Sequence, residues 1–294
     1  MSLWMEVARQ VSAATGEAFA LASRRDAGGG CINSAVVLEG EDGRRYFVKL
    51  NDAARLSMFE AEAEGLEELA AARAVRVPRP ICSGADEGTA YLVLEYLDLS
   101  GGGRDQELLG RQLAQLHRRT EPRFGWRRDN TIGSTPQINT PSDDWVEFWR
   151  RHRLGYQLAL AARNGYGGAL QRLGERLMQE LPAFFTSYSP AASLLHGDLW
   201  GGNRGATAEG EPVIFDPTVY YGDRETDLAM TELFGGFSGR FYDAYREEWA
   251  LDAGYSVRKT LYNLYHVLNH LNLFGGAYGA QAQRMMEALL SEIR

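Results

Sequence analysis

The stretch LLHGDLWGGN, Leu194 to Asn203, is followed thirteen residues on by the acid of VIFDP, Asp216, and these two segments decide how the rest of the chain reads. Phosphoryl transfer needs a carboxylate to receive the proton of the acceptor hydroxyl. It also needs an Asn five residues later to help hold a metal, and a second Asp closing a short apolar strand. Asp198, Asn203 and Asp216 supply these in that order. Ser193 to Leu195 and Val213 to Phe215 read as short strands on either side of a Gly-rich turn, an arrangement that aims the three polar side chains into one cleft. A lone D-x4-N carries little weight. HGDLWGGN with IFDP and YYGDRETDLAM carries much more, because chance rarely orders so many spaced polar residues around apolar strands. The competing reading makes HGD a buried structural turn and Asp216 the cap of a strand end.

Upstream, Trp4, Val7, Ala8 and Val11 recur at helical spacing before Gly16, which predicts an opening amphipathic helix. AGGGCINSAVVLEGEDGRRYFVKL then reads as a β-hairpin with glycines at its start, a turn at Glu41 to Gly43 and a second strand ending at Lys49. Gly28, Gly29 and Gly30 would let backbone N–H groups approach nucleotide phosphates, and Lys49 would pair with phosphate oxygens. A plain turn uses glycine as readily. Ser57 to Ala72 favours helix, with Phe59, Ala63, Leu66 and Leu69 in one apolar stripe. Of its acids, Glu62, four residues before Leu66, is the expected partner of Lys49, with Glu60 the alternate; the plain reading is a solvated face. Tyr91 to Leu97 reads as a fully buried strand. Leu97 to Gly103 breaks the pattern as a hinge, where main-chain groups of Glu95, Tyr96 and Leu97 would meet adenine.

Beyond the hinge nearly everything reads as helix: Gln106 to Thr120, Asp144 to Ala162, Gly168 to Phe185, Asp223 to Leu233, Gly239 to Trp249, Val257 to Phe274 and Gln281 to Ile293. The expected fold class is α+β and bilobal. A small β-rich lobe with one long helix, residues 1–97, would bind nucleotide, and a larger, mainly helical lobe, 98–294, would carry catalysis and the substrate. The loop EPRFGWRRDNTIGSTPQINTPSDDW is long enough to need a reason. Trp126, Asp129, Asn130 and Gln137 could stack on or hydrogen-bond a polyhydroxylated ligand, or the loop could simply be pinned by its own aromatics. Asp144 is placed to cap the helix that Trp145 and Phe148 anchor.

With 294 residues, 45% hydrophobic and 24% charged, the chain can bury a sizeable core. A net charge of −8 disfavours nucleic acid and anionic membrane as partners, and no apolar run approaches the length of a membrane span. Charges at Glu6, Arg9, Glu17, Arg24 and Arg25 interrupt the first thirty residues, so a signal peptide is not expected and the protein reads as cytoplasmic. Cys31 and Cys82 are too few for a disulfide framework or a zinc site.

HGDLWGGN, IFDPTVYYGDRETDLAM, GGGCIN, FVKLN, MFEAEAEGL and FGWRRDNTIGSTPQIN together resemble the fructosamine (ketosamine) kinase family, a branch of the aminoglycoside-phosphotransferase-like, protein-kinase-like fold. The resemblance runs from about Gly28 to the LNHLNLFG segment near Phe274. It rests on the Trp after HGDL, the GGCIN loop, the PQ-x-N loop and the DP-x-x-YYGDRE-x-DLAM run. It implies ATP- and Mg²⁺-dependent phosphorylation of the sugar 3-hydroxyl of ketoamines. On the matching motifs Asp198 resembles the catalytic base, Asn203 and Asp216 the Mg²⁺ ligands, Lys49 the phosphate-binding lysine and Glu62 its partner. One departure is INTPSDDW, with Pro141 near the expected helix start, where some members carry Trp soon after PQ-x-N.

His196 is expected to hold the catalytic loop rather than act as base, and Asp227 to accept backbone N–H groups from that loop. His117, His152, His266 and His270 lie in helices without metal spacing. Trp200, two residues past the base, could stack on a sugar face. Cys31, after three glycines in an electropositive loop, would have its thiolate favoured; this predicts redox sensitivity and a Cys31-linked dimer under oxidation, against the plainer reading of a small buried residue. Two other functions compete: a kinase for another hydroxyl, such as that of an aminoglycoside, and a nucleotide-binding scaffold. The scaffold reading suffers because the lysine, the base and both metal ligands are all present. The aminoglycoside reading suffers because the Glu121–Trp145 loop lacks the excess of carboxylates a polycation needs.

Overall fold

A computed structural model describes residues 2–28, 32–101 and 105–293. The chain forms two compact units, Met1–Asp105 with Gly205–Asp216, and Gln106–Arg204 with Pro217–Arg294.

In the first unit α1 (Leu3–Thr15) buries Val7 and Val11, one turn apart, and ends at Gly16, whose left-handed φ of 73° lets its N–H reach Ser12 O. β1 (Leu21–Asp26), β2 (Ser34–Gly40), β3 (Arg45–Asp52), β4 (Pro80–Asp86) and β5 (Thr89–Glu95) form one antiparallel sheet in the order β1-β2-β3-β5-β4. α2 (Leu56–Ala71) lies between β3 and β4 in sequence. Alternation along the strands separates two faces. Val36, Leu38, Val48, Tyr91 and Val93 pack with Val7 and Val11 of α1. Lys49, one residue from Val48, points the other way, toward α2. α2 packs on β4 and β5 through Met58, Phe59, Leu66 and Leu69. The strand expected at Tyr91 to Leu97 starts and stops two residues earlier, at Thr89 and Glu95.

Gly205–Asp216 joins this unit as a short hairpin, Pro212–Ile214 pairing with Arg204–Ala206. Arg76 bridges Val213 in parallel, Ile214 N donates to Arg76 O at 3.0 Å, and Gly101 N donates to Ala206 O at 3.1 Å.

The second unit is mainly helical: α3 (Gln106–His117), α4 (Trp145–Trp149), α5 (Tyr156–Arg163), α6 (Ala169–Glu180), α7 (Glu225–Leu233), α8 (Gly239–Glu248), α9 (Tyr255–Phe274) and α10 (Tyr278–Glu292). Asp144 caps α4 by accepting Glu147 N at 2.9 Å, and a π-helical turn, Arg150–Gly155, carries α4 into α5. α9 is buried along most of its length and packs on α5, α7 and α10, while α3 packs on α8. Within this bundle the strand Ala192–Leu195, buried at every position, pairs antiparallel with Tyr220–Gly222 and Thr120–Glu121. Its end delivers His196, Gly197 and Asp198. The two strands flanking HGDLWGGN therefore belong to different sheets, Ala192–Leu195 to this one and Pro212–Ile214 to the hairpin of the first unit.

Among the described residues no helix is long and apolar enough to cross a membrane.

Candidate active site

In the first unit the strand β3 and the helix α2 bring a lysine between two carboxylates. Lys49 Nζ stands 2.6 Å from Glu62 Oε1 and 2.6 Å from Asp216 Oδ1. Lys49 is buried and Glu62 largely so, whereas the Asp216 side chain is 42% exposed and so retains coordination capacity. Burial alone would discharge the ammonium, but Asp216 and Glu62 outweigh it and hold Lys49 charged. Two carboxylates share this one cation, so burial pushes Glu62 up to about 7, with Lys49 opposing and Asp216 adding to the rise. Asp216 has a positive φ of 57°, a conformation rare for a residue with a Cβ, directly after Phe215. Of the two acids considered for Lys49, Glu62 is the one in contact.

Gly28 also has a positive φ, 60°, and a side chain there would meet open space. Gly29, Gly30 and Cys31 lie outside the described residues, and with them the expected phosphate loop and the Cys31 chemistry. At the end of β5 Glu95 N donates to Arg79 O, and its carboxylate receives Arg79 N at 3.2 Å and Arg76 Nη2 at 2.5 Å. Tyr96 stacks under the Arg45 guanidinium at 4.2 Å and accepts from Arg25 Nη2. Leu97 follows in the extended segment.

In the second unit the catalytic loop is fixed from behind. Asp227, in the first turn of α7, accepts His196 N at 2.7 Å through Oδ2 and Gly197 N at 2.8 Å through Oδ1. Burial opposes its charge, but the hydrogen bond from His117, the nearby histidines and the Gly197 N–H hold its carboxyl below the usual range. Gly197 is required: its φ is +86°, and a Cβ would lie 2.2 Å from Thr218 O. His196 is fully buried and its Nδ1 accepts Asp198 N at 3.3 Å, so it braces the loop as expected. Asn203 Nδ2 donates to Asp198 O at 2.9 Å and to Asp198 Oδ2 at 3.3 Å. The amide N–H₂ is thus spent on the loop, and Asn203 Oδ1 is left as the oxygen able to meet a cation. Trp200, 39% exposed, meets Phe234 edge-on at 6.2 Å.

The loop 121–145 departs from the picture of a ligand-binding lid. Trp126 is only 5% exposed, with Arg127 over its ring. Asn130 donates to Val219 O and accepts from Gln137 and Asn139; Gln137 donates to Thr218 O and accepts Tyr265 O–H; Asp129 accepts Asn139 N at 2.7 Å. These amides tie the loop to the segment after Asp216, because buried amides must be satisfied somewhere. The loop is pinned with Trp126 buried in it, whereas Asp129, although it accepts Asn139 N, keeps an exposed side chain.

His117 and His266 are buried, as default core histidines, yet His117 contacts Asp227 at 3.2 Å. Sequence reasoning missed this: α3 and α7 lie more than a hundred residues apart, and no local signal connects them. Cys82 is half-buried, and burial pushes its thiol up to about 11.

A Mg²⁺ ion takes hard oxygen donors and keeps much of its shell for water and phosphate, so it needs only one or two protein ligands. The exposed Asp216 carboxylate of the first unit is such a donor, and so, in the second unit, is the Asn203 amide oxygen.

The model of the fructosamine kinase family matches residues 3–292. A protein of Synechocystis sp. named "probable ketoamine kinase" is 49% identical over 290 residues, covering 98% of this chain and 97% of that one. The chloroplastic protein-ribulosamine 3-kinase of Arabidopsis thaliana is 44% identical over 271 residues, covering 91% of this chain and 82% of its own. A crystal structure from Haemophilus somnus 129PT named "putative fructosamine-3-kinase" superposes with a TM-score of 0.89 at 28% identity, covering 98% of this chain and 97% of that one. The residues that build the lysine–carboxylate cluster and the braced HGD loop lie inside the matched span, and the chain belongs to the fructosamine kinase family.

Proposed function

We propose that this chain is an ATP- and Mg²⁺-dependent kinase that phosphorylates the 3-hydroxyl of the sugar in ketoamines, acting in the cytoplasm on small glycated amines. The observation that carries the reading is the buried Lys49 held 2.6 Å from both Glu62 and Asp216, a cation locked in place by two carboxylates that no core packing requires. The names of the relatives, ketoamine kinase and protein-ribulosamine 3-kinase, supply the acceptor class.

In this mechanism Lys49 binds phosphate oxygens of the nucleotide, and Glu62 keeps its ammonium aimed. Asn203 and Asp216 would hold Mg²⁺, which when bound would neutralise charge on the nucleotide phosphates. Asp198 orients the acceptor hydroxyl and takes its proton at the carboxylate, while His196, Asn203 and Asp227 keep that carboxylate in place. Gly28 is assigned to the phosphates, and main-chain groups of Glu95, Tyr96 and Leu97 to adenine. Trp200 offers an exposed ring to the sugar. As functional parts, residues 1–97 bind nucleotide and 98–294 carry catalysis and the acceptor, although Asp216 is built by its packing into the first unit.

The test is ATP consumption over fructosyl-, ribulosyl- and erythrulosyl-amines alongside aminoglycosides. Turnover confined to the ketoamines is expected; turnover of aminoglycosides alone would assign a different acceptor to the same fold.

A further inference from the structure

Behind the catalytic loop runs a buried chain of polar side chains drawn from three helices and the segment before one of them. Arg224 Nη1 lies 3.1 Å from Tyr245 Oη, Tyr245 Oη lies 2.8 Å from His117 Nδ1, and His117 Nε2 lies 3.2 Å from Asp227 Oδ2. The exposures of Tyr245, His117 and Asp227 do not exceed 1%, and Arg224 is 5% exposed. Asp227 is the residue whose carboxylate receives the two N–H groups directly before Asp198.

The donor inventory leaves one consistent direction. A guanidinium can only donate, so the Tyr245 oxygen accepts from Arg224 and its own hydrogen is free to go to His117 Nδ1. A carboxylate can only accept, so His117 Nε2 must carry the proton toward Asp227. A neutral imidazole with one N–H, on Nε2, satisfies both contacts. Burial keeps His117 neutral by lowering its pKa, with Asp227 opposing. Arg224 is itself anchored, stacking on Trp249 at 4.0 Å and donating to Trp249 O and Ala250 O.

We propose that His117, held as the Nε2–H tautomer by Tyr245 and Arg224, is a positioning residue that orients Asp227 and through it the backbone carrying Asp198. This rests on the reading of Asp198 as base. His117 touches neither reacting group. It sets the rotation of a carboxylate whose two oxygens must meet two successive N–H groups, and so the angle at which the next side chain leaves the loop. A base displaced by a fraction of an ångström costs turnover, and the nucleotide-binding residues of the first unit are untouched.

The experiment pairs kinetics with a direct look at the imidazole. His117→Leu removes the donor to Asp227, and kcat should fall by about ten- to a hundred-fold while the KM for ATP stays within two-fold. His117→Gln restores an N–H toward Asp227 and should recover most of that loss. Tyr245→Phe, which keeps the shape of the site if His117→Leu does not fold, should lower kcat several-fold with the same unchanged KM. Nitrogen-15 NMR of the parent protein at neutral pH should show His117 neutral and protonated on Nε2. An Nδ1–H tautomer or an imidazolium would overturn the proposal, as would equal losses in His117→Gln and His117→Leu, or Tyr245→Phe kinetics identical to the parent. Because the NMR result does not depend on any acceptor, a chain that phosphorylated no ketoamine would refute the functional reading and leave the tautomer test standing.

Discussion

Lys49 Nζ and Glu62 Oε1, one on a central strand and the other thirteen residues on in α2, meet at 2.6 Å with the lysine buried and the carboxylate largely so. Breaking a buried pair leaves an uncompensated charge, at a typical cost of about 3–5 kcal/mol. Lys49→Met would also leave Glu62 and Asp216 without their shared cation. Its unfolding free energy, measured by denaturant titration, should drop by an amount of that order, and turnover should fall at least a hundred-fold. A variant as stable as the parent would mean that the three groups are not ionised together.

Asp198→Ala and Asp216→Ala should separate kinetically. The first removes the proton acceptor, so turnover falls by about 10²–10⁴ while nucleotide affinity stays within a few-fold. The second removes a metal ligand and should weaken Mg²⁺–nucleotide binding along with turnover. Nucleotide titration of both variants is the measurement. Unaltered affinity in Asp216→Ala would move the metal elsewhere.

Trp200 exposes 39% of its surface two residues past Asp198. Trp200→Ala should raise the KM for the acceptor several-fold more than that for ATP. Equal increases for both substrates would indicate that the loop had collapsed rather than lost a stacking face.

Much of this arrangement was legible in the sequence because it depends on local spacing. Val7 and Val11 gave α1, the alternation around Val48 gave the face on which Lys49 lies, and the apolar stripe of α2 turned Glu62 inward. HGD with Asn203 was readable because its contacts close within five residues. The strand β1 was not legible: LASRRD is exposed at five of six positions and lacks both alternation and an apolar run. Nor was the fate of the loop 121–145, since Asn130 and Gln137 find their partners at Thr218 and Val219, more than eighty residues away. The π-helical turn at Arg150–Gly155 leaves no mark in a helical periodicity that continues on both sides.

Buried histidines predict a pH dependence of stability. Burial lowers His266 from 6.5 to about 3, with His270 and Arg153 adding to the shift, and it lowers His117 in the same direction. In the unfolded chain each takes up a proton below about 6.5, while the folded state excludes it. The stability His266 contributes is therefore whole above pH 6.5 and is lost as pH falls toward 3, at about 1.4 kcal/mol per pH unit, and His117 acts with the same sign. Glu62 and Glu225, both pushed up to about 7, act with the opposite sign. The informative quantity is thus the stability difference between the parent and His266→Gln at pH 7.5 and pH 5. It should shift by about 2 kcal/mol in favour of the variant on acidification. A difference that does not change with pH would mean that His266 is protonated in the folded protein.

The acceptor is decided by comparing ribulosyl- or fructosyl-lysine with free ribulose or fructose at matched concentration, with the product position read by NMR. A site built around the amine-bearing carbon penalises an analogue that lacks it, because groups placed to meet it are left unpaired. Rapid turnover of the ketoamines, little of the free sugars, and phosphate on the 3-hydroxyl are expected. Comparable turnover of the free sugars, or phosphate on the terminal hydroxyl, would contradict that assignment.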